Sequence, residues 1–160
     1  MKRLFSILTI FLFFAVGFAD VERKYDRFTK KTTVSTKPVA SLFMKDRPFL
    51  CLTAEFKDKP SYFHIMFITE QDDWEYLSCH MTYILADDLP VKTSDATHEG
   101  SVQSGSVIEF IMINLIPLKS LDQLCKAKKI EVKICNDVFE LDDEEKQDLK
   151  DFKALLNEKP

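Results

Sequence analysis

The chain has 160 residues, 22 basic against 26 acidic, and a formal charge of −4. That balance, with no basic run, argues against a nucleic-acid or anionic-membrane face. With three glycines in all, neither common Gly-rich phosphate cradle can be built, and the nucleotide-binding classes fall away.

Lys2 and Arg3 precede an apolar run from Leu4 to Phe18, and Gly17-Phe18-Ala19 supplies small residues before Asp20. This is the pattern of a secretory signal peptide over residues 1–19, cut between Ala19 and Asp20. The run is short for a transmembrane helix and lacks a stop-transfer pattern, so no integral span is expected after cleavage. Residues 20–160 then form a single exported globular domain. The 22 basic residues fall to 20 when Lys2 and Arg3 leave, against 26 acidic ones, a balance of −6.

Residues 20–26 read as a loose charged arm, and Arg27 to Ser35 has strand-like Thr and Val density. Pro48 to Lys57 alternates Leu50, Leu52, Ala54 and Phe56 with Phe49, Cys51, Thr53 and Glu55, a strand. Tyr62 to Thr69 is apolar on both faces, as a strand covered on both sides would be. Trp74 to Leu85 alternates again, with Leu77, Cys79, Met81, Tyr83 and Leu85 on one face and Trp74, Tyr76, Ser78 and His80 on the other. These two segments are expected to pair as a hairpin.

From Ala86 to Ser106 the sequence is polar and irregular, the longest expected loop, with a short strand at Pro90 to Thr93. Ser106 to Leu115 is a two-sided apolar strand. Leu118 to Lys128 fits a short helix. Lys129 to Cys135 and Val138 to Asp142 flank Asn136-Asp137 as a hairpin, placing Ile134 opposite Phe139 and Lys133 opposite Glu140. Asp142 and Glu145 then have capping-box spacing at the head of a helix with Leu149, Phe152, Leu155 and Leu156 as its buried stripe. The expected class is α+β with β dominant: an antiparallel sheet or sandwich of six to eight strands with two helices, the last at the C-terminus.

All four cysteines follow the leader, and an oxidising compartment permits two disulfides in three connectivities. Strand parity prefers Cys79–Cys125 and Cys51–Cys135; the alternative is buried free thiols. No C-x-x-C pair supports a redox role. The three histidines form the sharper candidate. In one hairpin register His64 faces His80, and in the other it faces Cys79; either arrangement can hold a metal with His98 or Glu109 completing the set. Cys79 and His80 are adjacent, which in a strand points them to opposite faces and disfavours a nucleophile–base pair. Glu109, inside an apolar strand, is the odd residue of the chain. If buried and unpaired, its carboxyl would titrate high.

The stretch Trp74-Glu75-Tyr76-Leu77-Ser78-Cys79-His80, then Leu85-Ala86-Asp87, then His98-Glu99-Gly100-Ser101-Val102, resembles a pattern of exported bacterial proteins with no known activity. The resemblance implies no reaction. It groups Trp74, Cys79, His80, His98 and Gly100 into one neighbourhood. The functional expectation is therefore a non-enzymatic secreted or periplasmic domain that binds a ligand or protein partner, with Trp74, Tyr76, His80, His98 and Gly100 as binding residues. The alternative is a metal protein or metal-dependent enzyme using His64, His80 and His98. No cofactor is indicated.

Overall fold

The computed structural model describes residues 21–36 and 46–158, and the expected leader and its cut site lie outside the described residues. Ten strands and two helices are present among them. Strands β1 (Val21–Asp26), β2 (Lys31–Thr36), β3 (Phe49–Phe56), β4 (Tyr62–Gln71), β7 (Ala96–Gln103) and β8 (Ser106–Pro117) make a six-stranded antiparallel sheet in the order β1-β2-β3-β4-β8-β7. Strands β5 (Thr82–Ala86), β6 (Leu89–Pro90), β9 (Ile130–Ile134) and β10 (Asp137–Glu140) make a four-stranded one in the order β10-β9-β5-β6. Helix α1 spans Leu118–Lys126 and α2 spans Asp143–Asn157. The class is α+β with β dominant, and the strand count exceeds six to eight because the first arm and β7 both pair.

The alternating β3 and the two-sided apolar β4 and β8 take the middle of the large sheet, with inner faces buried and outer faces largely half-buried. Leu52, Phe63, Ile65, Phe67, Ile111 and Ile113 are among the inner-face residues of the main core. Phe63 meets Phe152 of α2, and Phe67 meets Phe139 of β10 edge-on at 5.8 Å between ring centroids. The helices and the small sheet thus cover one side of the large sheet. Phe49, Cys51 and Ile68 form a second, smaller cluster on its other side.

The first arm is a strand after all. β1 pairs along β2, and Arg23 donates to the carbonyls of Leu155 and Glu158 at the end of α2, satisfying acceptors a helix terminus leaves open. At the other end of α2 the expected capping box is formed: Asp142 accepts from the Glu145 N–H and Glu145 accepts from the Asp142 N–H. Glu145 is buried, accepts the Leu50 N–H at 3.0 Å and takes a fork from Arg47, so the cap also fastens α2 to β3.

Two expected registers are corrected. β4 does not pair with the following segment; its neighbours are β3 and β8, and only Thr82–Ala86 of the expected Trp74–Leu85 strand is extended. In the last hairpin Ile134 faces Asp137 and Val132 faces Phe139, with Cys135 at positive φ (56°) in the turn. The pairing is slipped by two residues, so each side chain keeps its face. Lys133 therefore meets Val138 rather than Glu140.

The β4–β8 ladder shifts register between Phe63 and Ile65, where Asn114 and Leu115 oppose His64 alone. Leu115 has φ 54° and is exposed, a conformation that a leucine side chain disfavours. Leu115→Gly is expected to raise stability by about 0.5–1 kcal/mol in urea unfolding.

Candidate functional site: a pinned loop beside the edge of the large sheet

Residues 72–81 form no regular strand because Glu109 claims their backbone. Glu109 lies on the inner face of β8 and is fully buried, where a carboxylate must be satisfied. It accepts the Glu75 N–H at 2.8 Å on one oxygen, and the Tyr76 N–H at 3.0 Å on the other. That second oxygen also takes His98 at 2.8 Å. Against a carboxylate, His98 Nε2 must carry the proton. The buried carboxylate is thus paired three times.

The loop is held again four residues on. Cys79 is disulfide-bonded to Cys135 in the β9–β10 turn, with Cα atoms 5.9 Å apart. This replaces both expected pairings. Cys79 is not in a strand, so the parity argument had no basis. Cys51 sits on the far side of the large sheet, and Cys125 donates to the Leu149 carbonyl between the helices. Burial pushes the Cys51 thiol up to about 11. Alkylation of the unfolded, unreduced chain should modify two cysteines by mass spectrometry, and four after reduction. In the native state Cys51 should resist the reagent.

The named neighbourhood does assemble. Trp74 stands edge-on to His98 at 6.1 Å, and His98 stacks on His80 at 5.9 Å with rings 24° apart. His80 Nδ1 is the one buried side-chain polar atom among the described residues without a hydrogen-bond partner. Gly100 faces Glu109 across the ladder, and a Cβ there would come within 2.5 Å of Trp74 Cζ3 and 3.0 Å of the Ile108 carbonyl oxygen. Gly100→Ala should cost about 1–3 kcal/mol and red-shift the emission of Trp74, as overpacking displaces the indole. Tyr76 is buried, and that burial, with the Glu75 and Asp137 carboxylates nearby, pushes its phenol well above its ordinary range.

The three histidines do not converge. His64 faces Thr53 across β3, on the same side as Met66 and Cys51, and its Nδ1 is 2.9 Å from Asn114 Oδ1. Strand parity sends it to the opposite face from Ile65 and hence from His98. Among the described residues no three His, Cys, Asp or Glu side chains are grouped to hold a metal ion.

Beside the exposed Glu75 and Ser78, the pinned loop displays large apolar side chains. Leu77 is 58% exposed and Met81 62%, and Tyr83 follows at the start of β5. These three were expected on one face of a single strand. The polar Ala86–Ser106 stretch is likewise not one loop, since β7 occupies Ala96–Gln103 at the edge of the large sheet. Among the described residues no helix is long and apolar enough to cross a membrane. Comparison with family models, with curated proteins and with solved structures finds no match.

Proposed function

We propose that this protein is an exported, non-enzymatic interaction domain whose contact surface centres on the loop from Trp74 to Met81. The observation that carries this reading is that Leu77 and Met81 are held out to solvent by a loop fastened at both ends. Glu109 grips the backbone of Glu75 and Tyr76, and the disulfide grips Cys79. Large apolar side chains on a preorganised loop lose little freedom on binding, which is where recognition gains affinity. The polar cluster beneath serves as the anchor: Glu109 spends both oxygens on the loop and on His98. A disulfide in a chain headed by a leader-like segment supports an oxidising compartment outside the cytosol.

Selection of displayed peptides on the oxidised protein tests the reading, with a Leu77→Asp, Met81→Asp double variant as the counter-target. The expected outcome is peptides that bind the parent protein at least about tenfold more tightly than the variant, the scale of one buried apolar anchor. Peptides indifferent to both substitutions would overturn it. So would a turnover reaction abolished by His98→Ala.

A further inference from the structure

Among the described residues, the edge of the large sheet next to Trp74 pairs with no further strand. Strand β7 is the last of its sheet, eight residues long, and its register against β8 is unbroken from Ala96↔Ile113 to Gln103↔Ser106. The turn that joins them has Ser104 at φ 53° and Gly105 at φ 94°, the two positive values of a two-residue hairpin turn. In such a hairpin the closing pair, Gln103 and Ser106, is mutually hydrogen-bonded, and bonded pairs alternate from there. Ser101, Glu99 and Thr97 thus spend their backbone groups on β8. Val102, Gly100, His98 and Ala96 direct theirs outward.

The other edges are guarded in the usual ways. β1 carries Glu22, Arg23, Lys24 and Asp26 among six residues. β10 has four residues, two of them acidic, and β6 has two, one of them Pro90. β7 has no proline, no lysine and one charge, Glu99.

We infer that β7 is a strand-addition site for an extended, basic segment of another polypeptide. The main-chain ladder supplies affinity, and alternate side chains supply choice. On the outer face the added strand runs beside Thr97, Glu99 and Ser101, so a lysine or arginine opposite Glu99 is favoured, in keeping with the acidic surplus of the chain. On the inner face it runs beside Gly100 and the exposed Val102, where a small or apolar residue fits. A second copy of the chain would bring the two Glu99 side chains near one another and bury only one strand per side, below what a stable dimer needs. The inference rests on the binding reading above and names the partner's chemistry.

The test uses a nine-residue peptide of alternating valine and lysine, and the same peptide N-methylated at each valine. Trp74, the single tryptophan of the chain, reports binding by its emission, and amide exchange at Gly100 and Val102 reports the ladder. Saturable binding of the unmodified peptide is expected, with protection at both amides. Val102→Pro removes one outward N–H from an edge position and should weaken binding about tenfold or more while circular dichroism is unchanged. Glu99→Lys, which leaves the backbone intact, should weaken it as well. No saturable binding, or equal binding of the N-methylated peptide or of both variants, would overturn strand addition while leaving the Leu77/Met81 selection to decide the parent reading. A dimer that sediments as such and is lost in Val102→Pro would overturn the peptide in favour of a second copy.

Discussion

Glu109→Ala should destabilise the protein by about 3–5 kcal/mol in urea unfolding. The substitution strands two backbone N–H groups, those of Glu75 and Tyr76, and leaves the His98 imidazole without its acceptor in a site it was shaped to fill. Buried donors without partners are costly because water cannot reach them in the folded state but serves them fully in the unfolded one. Glu109→Gln keeps an acceptor for at least one N–H and should cost less, about 1–3 kcal/mol. The two variants separate a hydrogen-bonding role from a purely apolar one. If Glu109→Ala and the parent unfold within about 0.5 kcal/mol of each other, the carboxylate does not anchor the loop. A companion readout is local: amide exchange at Glu75 and Tyr76 should accelerate in Glu109→Ala far more than exchange in β3 or β4.

The paired substitution Cys79→Ala, Cys135→Ala should cost about 2–4 kcal/mol. The bond closes a loop between cysteines 56 residues apart, so most of its effect is expected on the unfolded chain, whose freedom it restricts. It also joins the segment after β4, the centre of the large sheet, to the β9–β10 turn of the small one. Its removal should therefore release the Leu77–Met81 display even where the fold persists. The expected pattern is a lowered urea midpoint with near-native strand content, and weaker binding of any peptide selected on the oxidised protein. Full binding by the reduced protein would break the link between the cross-link and recognition.

The parts of the fold that were legible are those whose signal is local. β3 shows in the sequence by its alternation, and β4 and β8 by apolar residues at consecutive positions. The α2 capping box shows because its partners are three residues apart. The misread parts depend on distant residues. Trp74 to Leu85 alternates like a strand, yet a carboxylate 33 residues past Tyr76 takes its backbone. Leu77, Met81 and Tyr83 share a face in that alternation, yet all three are exposed. β7 reads as a loop because its eight residues include only two apolar ones, Ala96 and Val102, and none of the eight is buried. Of the site, Trp74, His80, His98 and Gly100 were grouped by their motif, and Glu109 stood out as a charge within an apolar run. The disulfide escaped because it joins two turns, where strand parity has no meaning.

The order of strands has a kinetic consequence. The chain builds four strands of the large sheet, leaves to start the small one, returns for β7 and β8, and leaves again for β9 and β10. The central ladder of the molecule, β4 with β8, joins residues from Tyr62↔Pro117 to Gln71↔Val107, so it waits on a long intervening stretch. Such non-local topologies pay loop closure before they gain contacts, and they fold in milliseconds to seconds. Until the second half of the chain is available, β4 lacks its partner on one side, and the centre of the large sheet cannot close.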